Sequence, residues 1–247
     1  MPAPILVTKL FPPLINKELV KRRDLIDRLS KGLDRKAALI SAPAGFGKST
    51  LVSAWLDQLP DTDRTWLSLD EDDSDPTHFL TYLIAALART QLLGEDFGKG
   101  SLSMLQAPQA PPAQTVLIPI LNELAEAQGK IVLVLDDFHL IESQEILDAI
   151  AFLLENLPPQ LHLVIATRQD PLLPLGRLRA QDQLTELRAA DLRFSAAEAA
   201  DFYNNVMGLN LSSQDIAELE TRTEGWIAGL QLAAISLQGS EDRTAFI

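Results

Sequence analysis

The chain has 247 residues, with 34 acidic against 21 basic, a formal net charge of -13 and a hydrophobic share of 47%. That apolar share can bury one large core with a small satellite, while the negative field repels phosphate backbones, so direct DNA binding by these residues is not expected. With no cysteine there are no disulfides, thiol nucleophiles or cysteine-rich zinc sites, and the isolated His78, His139 and His162 leave a nucleotide-bound ion as the expected metal.

The segment Met1 to Lys9 lacks a basic stretch followed by an apolar run, and no apolar stretch approaches roughly 18 residues. A soluble, cytoplasmic protein without a membrane partner is the expectation. Leu25, Ile26, Leu29 and Leu33 recur at helical spacing, and Ala37–Ala42 is a short apolar run of the kind that forms a buried parallel strand.

Directly after that strand, Ala42-Pro43-Ala44-Gly45-Phe46-Gly47-Lys48-Ser49-Thr50 matches the phosphate loop G-x-x-x-x-G-K-[ST], except that Ala42 replaces the first glycine. A helical pattern, Leu51, Val52, Trp55 and Leu59, follows, as the motif requires. Gly45 and Gly47 let the backbone turn its N–H groups onto phosphates, and the helix N-terminus favours negative charge there. Residues 43–50 are therefore the candidate nucleotide-binding loop. Lys48 is expected to reach the β- and γ-phosphates, and Ser49 to ligate Mg2+.

Next come a strand at Thr65–Leu69 and the acidic cluster Asp70 to Asp75. The cluster lacks the glycine and distal glutamate of a calcium loop and reads as a solvated connection. Phe79, Leu80, Leu83, Ile84 and Leu87 mark a helix, and Gly94–Pro112 reads as a long surface loop. Pro119, inside the next helical run, predicts a kink or a split helix.

The strand Ile131–Asp136 ends in two carboxylates at the expected carboxyl edge of the sheet and resembles a Walker B. Asp136 is expected to hold magnesium through water, and Asp137 to polarise the attacking water as general base. His139 is expected to have a hydrogen-bonded structural role. The strand Leu161–Thr167 ends at Arg168, from which a guanidinium can sense a γ-phosphate on the neighbouring strand. Leu184–Leu187 is a weaker fifth strand. Ser195-Ala-Ala-Glu198 fits a capping box that opens a helical tail, with further runs near Ser213–Arg222 and Gly225–Leu237. The last helix is expected to keep Trp226, Leu230, Ala233 and Leu237 on one face, with nothing after it to close the structure, as in an excised fragment.

Alternating strands and helices with this loop predict an α/β P-loop NTPase whose parallel sheet is flanked by helices, residues 1–194, followed by a small all-helical domain, residues 195–247. Five further stretches carry a resemblance: T-K-L-F-P-P (Thr8–Pro13), L-V-K-R-R-D-L (Leu19–Leu25), W-L-S-L-D-E-D-D-S-D-P (Trp66–Pro76), L-R-A-A-D-L-R-F-S (Leu187–Ser195) and T-E-G-W-I-A-G-L (Thr223–Leu230). With the ATPase motifs, they make nearly the whole chain resemble the signal-transduction ATPases with numerous domains, and within them the large LuxR-type transcriptional regulators similar to the maltose-regulon activator.

The resemblance implies adenine contacts at Val20 and Arg22, and places Ile227 where the family's G-x-P proline touches the base. It also implies continuation into winged-helix, repeat-built sensor and DNA-binding domains that lie outside this sequence. The function it implies is an ATP/ADP switch in which ADP holds the two domains closed. Inducer and ATP favour an open, self-associating state of the full-length protein, with slow, weak ATPase activity. The alternatives are a turnover AAA+-like ATPase of the motor or remodelling type, and an interaction scaffold whose nucleotide site has decayed.

Overall fold

In the computed structural model, which describes residues 5–14 and 19–238, each apolar run forms its strand: β1 Ala37–Ser41, β2 Thr62–Ser68, β3 Lys130–Asp136, β4 Leu161–Thr167 and β5 Leu184–Arg188. They make one parallel sheet in the order β2-β3-β4-β1-β5. Because successive strand side chains point to opposite faces, each strand feeds two cores. Leu39, Leu133, Leu163 and Ile165 enter one layer, with helices α3 Pro76–Leu87, α4 Lys99–Leu105, α5 Ala113–Ala125 and α6 Gln144–Asn156. Ile40, Val134 and Val164 enter the other, with α1 Arg23–Lys31 and α2 Lys48–Leu56.

Three expectations for the sheet domain need correction. The segment Gly94–Pro112 is not a plain loop: α4 lies inside it, and Phe97, Ser101 and Leu105 are buried against the first layer. Pro119 does not split its helix, since α5 runs as one element through it. Val116, Leu117 and Ile120 beside it are fully buried, so packing offsets the one helical bond a proline removes. The acidic cluster is not all solvated: Asp73 is fully buried, 2.5 Å from Lys9 Nζ and 2.9 Å from the Asp70 N–H. A buried carboxylate needs such partners.

After β5 and α7 Leu175–Ala180, which precedes it, the chain turns through α8 Ala189–Leu192 into the helical domain: α9 Ala196–Asp201, α10 Ser213–Thr223 and α11 Ile227–Gln238. Ser195 and Glu198 form the predicted capping box. These helices bury their own cluster, including Tyr203, Leu219, Leu230, Ala234 and Leu237. Trp226 does not share that face, as it stands ahead of α11 and is 37% exposed. The expected open end beyond the last helix concerns residues 239–247, which lie outside the described residues. Among the described residues, no helix is long and apolar enough to cross a membrane.

His162 is fully buried in β4, edge-on to Trp55, and its Nδ1–H donates to the Arg35 carbonyl at 2.7 Å. Burial pushes its pKa down to about 4. A folded-state pKa below the ordinary value of roughly 6.5 means that the unfolded chain binds the extra proton between pH 6.5 and 4, so stability falls as pH drops through that window. The expected loss from this group is about 3 kcal/mol. Denaturant titrations at pH 7 and pH 4 on wild type and His162→Asn should show the two stabilities converging by that amount; parallel curves would refute the assignment.

Candidate functional site

Strand order sets the site. With β4 between β1 and β3, the carboxyl ends of three strands meet: β1 runs into loop 42–50, β3 ends on Asp136, and β4 ends on Thr167 with Arg168 next. This edge is where open parallel sheets bind ligands.

In the loop, Gly45 and Gly47 adopt left-handed backbone angles, with φ of 76° and 74°. Pro43, Ala44 and Gly45 are exposed, while Phe46, Ser49 and Thr50 are half-buried. Lys48 opens α2 and is buried, and its Nζ donates to the carbonyls of Ala42 (2.8 Å) and Pro43 (3.0 Å). Burial lowers its pKa, opposed by the charges of Asp137 and Asp136.

Ser49 Oγ donates to Asp136 Oδ1 at 3.0 Å. Burial raises the Asp136 pKa, the Ser49 bond opposes the rise, and the negative charge of Asp137 adds to it. This pair supplies two adjacent oxygen ligands. Among the described residues no group of three or more His, Cys, Asp or Glu could hold a metal. The donors therefore fit magnesium completed by nucleotide phosphates and water, not an all-protein cage.

Asp137 stands differently. Its φ of 56° is left-handed, unusual for a non-glycine residue and of the kind that collects at functional sites. Its side chain is 43% exposed and 3.7 Å from His139 Nδ1. The expected hydrogen-bonded structural role of His139 is not found: both of its ring nitrogens are buried with no hydrogen-bond partner among the described residues. The 3-10 turn Phe138–Leu140 buries Phe138 and leaves His139 close enough to Arg168, Asp137 and Lys48 to feel their charges. Its pKa is lowered, first by burial and then by Arg168. Arg168 itself is exposed at the end of β4.

Beside the loop lies an apolar cavity of about 290 Å3, lined in part by Val20, Phe46, Leu51, Phe202, Met207 and Ile227. Thr50 and Arg22 also line it. The guanidinium of Arg22 is engaged elsewhere: it donates to the carbonyls of Asp191 (3.2 Å), Leu192 (3.0 Å) and Arg193 (3.0 Å), pairs with Glu198 at 2.7 Å, and lies over the Phe194 ring. Phe202 and Met207 reach the cavity from the π-helical turn Phe202–Val206 and its C-cap, a feature with no periodic signal in the sequence. Trp226 also escaped the sequence pattern. Its Nε1–H donates to the Ala44 carbonyl at 3.1 Å, and the two glycines of Gly225-Trp-Ile-Ala-Gly229 are the one hint of an unusual placement.

Residues 18–166 match the AAA ATPase domain family. The chain is 36% identical to the serine/threonine-protein kinase PknK of Mycobacterium tuberculosis over 99% of this chain and 22% of that protein. It is also 36% identical to the HTH-type transcriptional regulator MalT of Yersinia enterocolitica, over 94% of this chain and 25% of that one. The chain thus spans about a quarter of the length of these curated relatives. Among solved structures, the Walker-type ATPase of Pyrococcus abyssi aligns with a TM-score of 0.64 at 14% identity, over 98% of this chain and 74% of that one. A signal-transduction ATPase with numerous domains and a tetratricopeptide repeat sensor, from Pyrococcus horikoshii, aligns at 0.61 and 16% identity, over 94% and 31%. Those two likenesses show the fold, and the matched residues carry the conclusion that this chain belongs to the AAA ATPase domain family.

Proposed function

We propose that residues 1–194 and 195–247 form the ATP/ADP-binding switch of a MalT-like LuxR-type transcriptional regulator in the cytoplasm, with slow ATP hydrolysis coupled to signal-dependent self-association. The observation that carries this reading is the closed arrangement around the loop. The helical domain walls one side of the apolar cavity and hydrogen-bonds the phosphate loop on another. A ligand seated there touches both domains, so its differential affinity for closed and open states sets their populations.

The cavity favours adenine. Its lining is mostly apolar, and among the described residues lining it there is no carboxylate to accept the adjacent N1–H and N2–H donors of guanine together. Lys48 and residues 43–50 would hold the phosphates. Ser49 and Asp136 would hold magnesium, which when bound neutralises phosphate charge. Asp137 would orient water as general base, and Arg168 would sense the γ-phosphate. DNA contact would belong to other domains, consistent with the charge of -13.

Calorimetric titration of nucleotide-stripped protein with ADP, ATP and GDP, with and without magnesium, tests the reading. Tight ADP binding, GDP at least about tenfold weaker and little phosphate release are expected. ADP affinity weaker than about 1 mM would sink the switch, and rapid hydrolysis rising with protein concentration would favour a remodelling-type ATPase.

A further inference from the structure

The stretch Gly225-Trp-Ile-Ala-Gly229 does more than bring Ile227 to the cavity. Trp226 immediately precedes α11, and its carbonyl accepts the first helical bond, from the Leu230 N–H at 3.0 Å. Its indole lies against the phosphate loop and donates to the Ala44 carbonyl. Two residues on, the Ala228 N–H donates to the Gly45 carbonyl at 3.1 Å. First-turn N–H groups have no acceptor within their own helix, so the phosphate loop supplies a cap to α11 from far away in the sequence.

Two glycines make room for this contact. A methyl group at Gly45 would lie 2.7 Å from Ala228 Cβ and 2.8 Å from Trp226 Nε1, and one at Gly229 would lie 2.9 Å from Trp226 Cε3. Gly45 thus serves the seating of α11 as well as its own left-handed turn. A peptide is planar and trans, so a carbonyl held outward points the next N–H the opposite way. Holding the Ala44 and Gly45 carbonyls therefore fixes the N–H groups of Gly45 and Phe46, donors of the kind that cradle phosphate.

Resting on the nucleotide-binding reading, we infer that Trp226 is a positioning residue: it latches the helical domain to the phosphate-loop carbonyls, and its release governs how fast nucleotide leaves. The partly exposed indole is placed by these contacts and not by the helical core, from which it is absent.

Two variants test this. Trp226→Phe keeps a ring and removes the donor. Gly229→Ala keeps the donor, displaces the indole and raises helix propensity, so a simple loss of helix stability cannot explain its effect. In both, exchange of the Ala228 amide in nucleotide-free protein and release of a fluorescent ADP analogue should each become about tenfold faster, and the melting temperature of Gly229→Ala should not fall. Unchanged Ala228 exchange in both variants overturns the latch, whether or not nucleotide binds. Faster exchange with unchanged release overturns its control of nucleotide. A wild type that takes up no ADP analogue removes the nucleotide reading and that control together, while the exchange result still decides the contact.

Discussion

Lys48→Ala should lower ADP affinity by about a hundredfold, the loss of charge-assisted hydrogen bonds in a desolvated site. Nζ sits inside the loop and donates to the Ala42 and Pro43 carbonyls. The ammonium is buried with its pKa held down, chiefly by desolvation. A cation kept there with only neutral acceptors gains most when an anion arrives, whereas alanine offers the phosphates nothing. Removing a partly compensated buried charge should cost the nucleotide-free fold little, so its melting temperature should stay within a few degrees of wild type. Calorimetry with ADP reads the first effect and a thermal scan the second. Wild-type ADP affinity in the variant would take Lys48 out of the phosphate site.

Asp137→Ala should retain ADP and ATP binding and reduce single-turnover phosphate release by about a hundredfold or more, the range for loss of a general base. The two neighbouring acids are built for different tasks. Asp136 is buried, and its Oδ1 accepts both from the Ser49 hydroxyl of the loop (3.0 Å) and from the Asp137 N–H (3.1 Å). Asp137 is turned out by its left-handed backbone, with its carboxylate half-exposed beside His139. Its loss therefore leaves the binding loop intact, while Asp136→Ala should weaken the magnesium-dependent part of ATP binding. Equal loss of affinity in both variants would contradict the separate role of Asp137. The Asp137→Ala protein should fold with a modest loss of stability, about 1 kcal/mol, since aspartate tolerates the left-handed backbone angle at this position better than alanine does.

What the sequence itself determined is local. Apolar runs of strand length, helical spacing and the Ser195–Glu198 capping box are set by interactions within a few residues, and β1 to β5, α1 to α3 and α9 to α11 obey them. The candidate loop was legible for the same reason: glycines at left-handed positions, a lysine and a hydroxyl at the helix start form one contiguous chemical demand. Where the local signal misled, tertiary packing won. Segment 99–105 reads as a polar loop but is helical because Ser101 and Leu105 are buried against the neighbouring layer, and Pro119 is carried through α5 by buried residues on either side.

Only the tertiary structure decided which functional groups meet. Placing β4 between β1 and β3 sets Arg168 beside the acids of β3, and no spacing in the chain encodes that order. The π-helical turn that turns Phe202 to the cavity, the Arg22 guanidinium spent on residues 191–193, and the Trp226 bond to Ala44 across 182 positions are all contacts between segments distant in sequence. Such contacts depend on shape and on which buried donors remain unsatisfied after the layers close, quantities that exist only once the chain has folded.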